Sequence, residues 1–251
     1  MKGAGAYVTG KVELNVAGRR LSLEMKVPAG RTRPAALLPL YRMAADAVVE
    51  TAAKAAEANG EAISCAKGCG ACCRQLVPIS ALEARRLRAL VNDMPAQRRA
   101  LIRERFAAAR GKLEEAGLLA DLSGPRELSD SEIQTLGRAY FALAIACPFL
   151  EDESCSIHRE RPVACREYLV TSPPAHCTEP SPDNISLVKM PATVARAVRN
   201  LEAEAPGQAR WVPLILAPAW AGNHPDRSLP RPGPEIAAEF FGQLTGRKPG
   251  P

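Results

Sequence analysis

Ser64-Cys65-Ala66-Lys67-Gly68-Cys69-Gly70-Ala71-Cys72-Cys73-Arg74 places four of the chain's eight cysteines within nine residues. The first three follow a C-x3-C-x2-C spacing, and the fourth sits directly beside the third. Thiolates bind soft and borderline metals, and ligands this close in sequence curl round one ion or cluster without long loop closure. Gly68 and Gly70 allow the positive φ angles such a curl needs and let backbone N–H groups approach sulfur. Burial as an apolar thiol suits any one cysteine, but it does not account for four in nine residues. The stretch reads as a metal site.

Working outward, the segments on either side read as helices. Pro39 to Asn59 carries Leu40, Met43, Ala44, Ala47 and Val48 on one face, with Gly60 just past the end, so a helix delivers the chain into the cysteine loop. After the loop, Ser80-Ala81-Leu82-Glu83 is a capping box opening a helix with Leu87, Leu90 and Val91 on one side. Pro95 restarts a helix bearing Ile102, Phe106, Ala109 and Leu113, closed by Gly117. Residues 118–128 read as a linker. A second capping box, Ser129-Asp130-Ser131-Glu132, opens a helix carrying Ile133, Leu136, Tyr140 and Leu143 that stops at Cys147-Pro148.

The other four thiols, Cys147, Cys155, Cys165 and Cys177, follow from there. Cys147 to His158 reads as a short hairpin with acidic residues at its turn, and Arg161-Pro162 starts a helical turn bearing Cys165, Arg166 and Tyr168. Cys177 falls in the loop after Pro173-Pro174. The tail reads as a helix over 191–204, an apolar extended segment Trp211–Leu216, and a final helix with Ile236, Phe240 and Leu244. At the other end, Val12, Leu14 and Val16 alternate with polar residues, as do Leu21, Leu23, Met25 and Val27 beyond Ala17-Gly18. That pattern is a β-hairpin with one apolar face. The expected fold is mainly α with a small β component: a helical domain around a cysteine-ligated metal centre, preceded by a β-hairpin. The expected division is a hairpin over 1–33, a cysteine-cluster domain over 34–183 and a helical extension over 184–251 packed on that domain.

Composition narrows the function classes. With 47% hydrophobic and 24% charged residues among 251, the chain has the makings of a well-buried core. The first residues hold no apolar signal region, and no apolar run is long enough to span a bilayer, so a cytoplasmic location and no membrane partner are expected. A reducing compartment disfavours four disulfides, and adjacent Cys72 and Cys73 are awkward partners for separate bridges. The net charge is +6, and basic residues are dense between Arg85 and Lys112. No aromatic residues interleave with the arginines for base stacking, so they read as solvated helix faces and not as a nucleic-acid interface. A protein partner stays open.

Cys65-x3-Cys69-x2-Cys72-Cys73-Arg74, followed by Cys147-Pro148-Phe149-Leu150, Cys155-x-Ile157, Arg161-Pro162 and Cys165-Arg166, resembles a bacterial cysteine-cluster family described as zinc- or iron-chelating. Flagellin lysine-N-methylases are similar to that family around the cysteine run. The resemblance spans roughly residues 60–170, by the spacing of these motifs. His158 departs from it, standing where relatives usually show tyrosine, and Cys177 lies beyond the shared core. The resemblance implies metal or iron–sulfur binding. Methyltransferase activity belongs to one branch, and no glycine-rich loop for S-adenosylmethionine follows a strand here.

Two readings of the metal compete. Structural zinc usually takes two closely spaced cysteine pairs, and the C-x7-C-x9-C-x11-C second half supplies none. A clustered triplet plus a distant cysteine is nearer to how cubane clusters are ligated, so a 4Fe–4S cluster is favoured and zinc is the alternative. Cys65, Cys69 and Cys72 are the first three expected ligands, with the fourth drawn from Cys147, Cys155 or Cys165. Cys73 and Cys177 belong to the candidate set, and eight thiols suffice for two sites. Four thiolates around such a centre leave about two negative charges, which Lys67, Arg74, Arg159, Arg161 and Arg166 are placed in sequence to offset. His158 reads as a surface residue, His176 has a slightly stronger claim as a ligand, and His224 has none. The spacing is also that of radical S-adenosylmethionine enzymes, but a loop between helices lacks their β/α-barrel context. A structural or redox metal centre is the leading function. The alternatives are a metal-dependent protein methyltransferase and a metal carrier or sensor. A deep pocket beside residues 65–74 would favour catalysis.

Overall fold

A computed structural model describes residues 6–16, 19–123, 130–181, 183–202 and 211–246. The hairpin is present as β1 (Tyr7–Val16) and β2 (Arg19–Pro28), antiparallel, in a register that sets Val12 opposite Leu23 and Leu14 opposite Leu21. The alternation works as expected: Leu14, Leu23 and Val27 are buried, while their neighbours along the strands face out. The turn residues 17 and 18 lie outside the described segments. A short β3 (Arg31–Thr32) leads into α1 (Leu38–Ala58), whose Tyr41, Ala44, Ala45 and Val48 are fully enclosed. Gly60 has a φ of 82°, the left-handed turn that ends a helix and redirects the chain.

After the cysteine loop come β4 (Pro78–Ile79), α2 (Ala81–Asp93), α3 (Ala96–Glu115) and α4 (Leu119–Ser123). The α2 capping box forms with both halves in place: Glu83 N–H bonds the Ser80 hydroxyl, and the Glu83 carboxylate accepts from Ser80 N–H at 3.0 Å. The helix α5 (Asp130–Ala142) buries Leu136 and Tyr140. Ser129, the residue expected to cap it, lies outside the described segments. Two two-residue strands, β5 (Leu150–Glu151) and β6 (Ser154–Cys155), make the expected acidic hairpin, with Asp152 and Glu153 at positive φ in its turn.

The tail differs in detail from its sequence pattern. The expected 191–204 helix is confined to α6 (Val194–Asn200) among the described residues. Only β7 (Val212–Pro213) of the apolar Trp211–Leu216 segment is extended. The chain then tightens into a 3-10 turn and α7 (Ala217–Asn223), which packs on α2. Pro218 at the start of α7 makes that segment look broken in sequence, yet proline is tolerated in a first helical turn. A short β8 (Arg231–Pro232) precedes α8 (Gly233–Thr245). β8 pairs with β3 and β7 with β4, so the tail is hydrogen-bonded to both ends of the first hundred residues.

Four packed clusters result among the described residues, the smallest joining Ala52 and Ala56 of α1 to Val188. The hairpin, α1, α6 and α8 bury Val27, Tyr41, Val48, Val198, Ile236 and Phe240 together. A second cluster joins α2 and α3 to Phe149, Ile157 and Val212, and Cys147, Cys155 and Cys165 pack against it. A third links α3, α4 and α5 through Leu113, Leu122 and Tyr140. Among the described residues no helix is long and apolar enough to cross a membrane.

Candidate metal centre

The cysteine loop leaves α1, turns at Gly68 (φ 92°) and enters a 3-10 turn over Ala71–Arg74. Gly68 thus has the positive φ expected of it. Gly70 does not: its φ is −94°, and glycine is needed there for a different reason. A Cβ at residue 70 would collide with the Glu153 carboxylate and come within 2.8 Å of Leu150 Cδ1. The loop is pressed against the acidic hairpin. Arg74 holds it there, donating to both Glu153 carboxylate oxygens at 2.7 and 2.9 Å and to the Gly70 carbonyl at 3.0 Å. The Cys147 N–H bonds the Cys73 carbonyl at 2.8 Å, and the Ser64 N–H bonds the Val170 carbonyl at 2.9 Å. Backbone hydrogen bonds therefore join the two halves of the cysteine set.

Five of the thiols, Cys72, Cys73, Cys147, Cys155 and Cys165, line one partly open cavity of about 150 Å3. Phe149, Ile157, Leu214 and Ile215 complete its apolar wall. Arg161 also lines it, and its Nε is buried with no hydrogen-bond partner. That guanidinium favours the thiolate forms of Cys65, Cys72 and Cys155. Cys69 and Cys177 both face an open cleft of about 1430 Å3, and the Cys65 Sγ accepts a hydrogen bond from Val170 N–H at 3.4 Å. Of the three ligands expected from the loop, Cys72 shares the cavity with Cys147, Cys155 and Cys165, whereas Cys69 lines the cleft with Cys177. Gln75 and Tyr168, hydrogen-bonded at 3.0 Å, border both the cavity and the cleft and divide them.

Without a cation these thiols resist ionisation. Burial pushes Cys147 up to about 12 and Cys165 well above the ordinary thiol value, and the neighbouring thiols add to both. Cys72 is raised first by its hydrogen bond with Cys73 and then by burial. Burial also raises Cys65, Cys155 and Cys177. A site that keeps this much sulfur neutral beside the Arg161 guanidinium suits an occupant that brings positive charge of its own to the thiolates. As placed, no three Cys, His, Asp or Glu side chains among the described residues stand close enough together to hold an ion. Closing a shell needs rotation of the thiols about their Cα–Cβ bonds. The donor set is sulfur alone, which selects zinc or iron–sulfur chemistry over hard cations.

Of the cations beside the cysteines in sequence, only Arg161 lines the cavity. Arg166 is buried and turned the other way, bonded to both Asp46 oxygens at 2.7 and 2.8 Å and to the Arg159 carbonyl. Lys67 is exposed. His158 and His176 are exposed, His176 facing the Asn184 carbonyl, and His224 stacks on Trp220. The supports that sequence reasoning missed are carboxylates. Glu83, besides capping α2, accepts from Val163 N–H at 2.7 Å and so anchors the turn that carries Cys165. Asp46 fixes Arg166 in that turn.

Glu160 is a third support, joining Arg42 of α1 to Arg86 of α2 at 2.9 and 3.0 Å. Burial alone would raise its carboxyl, but the two guanidiniums together hold it below the ordinary value of 4.5. A depressed carboxylate contributes stability that is present above the unfolded pKa and is lost as pH falls through the folded one. Glu160→Gln is therefore expected to melt below wild type at pH 7, with the gap closing under acid, in paired melts at pH 7 and below 4. A gap independent of pH would contradict the ion-pair account. The basic run on α2 and α3 is similarly engaged: Arg85 pairs with Glu202, and Arg98 and Arg105 share Glu151.

Residues 64–182 match the family model described as "Putative zinc- or iron-chelating domain". The matched stretch holds all eight cysteines and reaches past Cys177, which therefore lies inside the shared domain and not beyond it. No curated protein and no solved structure matches the chain.

Proposed function

We propose that this protein binds an iron–sulfur cluster in the five-thiol cavity, with Cys73, Cys147, Cys155 and Cys165 as ligands, Cys72 at its edge and a structural or redox role. The observation that carries the reading is the convergence of five thiols from three chain segments on one cavity lined by Arg161, whose Nε is buried without a hydrogen-bond partner. A cavity of about 150 Å3 takes a group as large as benzene. A zinc ion at about 2.3 Å from four sulfurs needs less room, and that difference favours a cluster. When bound, a 4Fe–4S cluster supplies a redox couple whose potential depends on charge, hydrogen bonding and exposure. Arg161 stabilises the more negative state of such a centre, and the apolar wall from Phe149 and Ile157 excludes water.

One observation supports a second reading. The cleft of about 1430 Å3 runs past Gly68–Leu76 and has Phe141, Ile185 and Leu187 along its sides. A substrate seated there lies beside Cys69 and Cys177, as a metal-dependent enzyme requires. Metal and sulfide content of anaerobically purified protein, read with its visible spectrum, tests the iron–sulfur assignment.

A further inference from the structure

We infer that the hairpin joins two copies of this chain, with β1 of one lying antiparallel to β1 of the other and Val12 on the two-fold axis. The inference is independent of what fills the five-thiol cavity. Three observations carry it. First, β1 has a free edge. It runs over Tyr7–Val16 in an unbroken register with β2, and among the described residues no other strand pairs with it. Ala29 N–H donates to the Ala6 carbonyl, which extends that register by one pair and sets the even-numbered residues of β1 toward β2. The backbone N–H and C=O groups of Thr9, Lys11 and Glu13 therefore point away from β2, along the open edge.

Secondly, this edge lacks the devices that keep strands apart. It is long, it holds no proline and no bulge, and its only charges are Lys11 and Glu13. Val8 lies on the apolar face of the hairpin, opposite buried Val27, yet is 41% exposed. A two-stranded hairpin is marginal alone, whereas pairing two of them makes a four-stranded sheet with one continuous apolar face.

Thirdly, the charges select a second copy as the partner and fix its register. A pairing that keeps the apolar residues on one face sets odd-numbered residues opposite odd-numbered ones. A two-fold axis at Lys11 would set Lys11 against itself, and one at Glu13 would set Glu13 against itself. An axis at Gly10 or Leu14 leaves both charges without an opposite charge to face. The axis at Val12 sets Lys11 opposite Glu13 twice, once on each side of the axis, and Val12 against Val12 on the apolar face. Opposite charges directly across a ladder stabilise it, and like charges oppose it. Both side chains are free to turn to such a partner, being 60% and 50% exposed.

The test is sedimentation equilibrium of the full-length chain, kept reduced so that disulfide-linked dimers do not count. The concentration series reaches roughly 100 μM, because a strand pairing buries less than a standard interface. A reversible monomer–dimer equilibrium is expected. Glu13→Lys sets like charges across the axis and is expected to weaken the dimer about tenfold. Lys11→Glu combined with Glu13→Lys restores opposite charges and is expected to recover it. Thr9→Pro removes an N–H that faces the open edge, spares those that face β2, and is expected to abolish the dimer. A chain that stays monomeric throughout leaves the edge to another protein's strand and overturns the self-pairing. So does a dimer that Glu13→Lys leaves unchanged, or that the folded double variant fails to recover. Should the variants fail to fold, amide exchange of the wild-type chain decides. The amides of Thr9, Lys11 and Glu13 are expected to exchange more slowly as concentration rises, and rates independent of concentration overturn the inference.

Discussion

Stripping the metal from the reduced protein is expected to lower its melting temperature by roughly 10 °C or more. The walls of the cavity are fixed by elements that do not depend on the occupant. Phe149 is 1% exposed and packs edge-on against Phe106 of α3, and the Cys165 turn is held by Glu83. Walls that cannot collapse leave a void of about 150 Å3, which by the cavity relation costs on the order of 3–4 kcal/mol. The half-buried Arg161 guanidinium, whose Nε has no hydrogen-bond partner, loses its counter-charge as well. At roughly 2–4 °C per kcal/mol for a chain of this size, the void alone accounts for about 10 °C. The check is calorimetry of holo and chelator-treated protein, both kept reduced so that new disulfides do not staple the apo form. Equal melting temperatures would show that the centre contributes nothing to the fold.

Glu83→Ala is the second large effect. This one carboxylate, 3% exposed, closes the capping box with Ser80 and accepts the Val163 N–H. Loss of the cap costs about 1 kcal/mol. Leaving Val163 N–H and the Ser80 donors buried without partners adds on the order of 1–3 kcal/mol. A total near 3 kcal/mol corresponds to a drop of roughly 6–12 °C. The variant is also expected to hold metal less well, because the freed turn carries Cys165. Glu83→Gln keeps one acceptor oxygen and is expected to fall between alanine and wild type. Wild-type metal retention in a destabilised Glu83→Ala protein would separate the cap from the site and contradict the link drawn here.

The features that sequence made legible are those written in short windows. The hairpin follows from alternation of Leu14, Leu21, Leu23 and Val27, the α2 start from Ser80 and Glu83, and α3 from the spacing of Ile102, Phe106 and Leu113. The cysteine loop announces metal chemistry by density alone. What was not legible depends on residues far apart in sequence. Glu83 meets Val163 across 80 residues, and Arg166 meets Asp46 across 120. Neither carboxylate carries a local mark of its role. Cys177 is the sharpest case, because spacing ranks it last among the thiols while folding buries it and sets it along the same cleft as Cys69. Gly70 shows a related limit. Sequence flags a backbone need, but only the packed hairpin shows that the need is space and not a positive φ.

The central claim is that the five-thiol cavity holds an iron–sulfur cluster. Iron, zinc and acid-labile sulfide, quantified in anaerobically purified protein alongside its absorption spectrum, test it most directly. The account predicts at least about four irons per chain with equal sulfide and a broad band near roughly 400 nm. Stoichiometric zinc with no sulfide and no colour would contradict the cluster and leave a structural zinc site. No metal at all, with eight titratable thiols, would contradict the account as a whole.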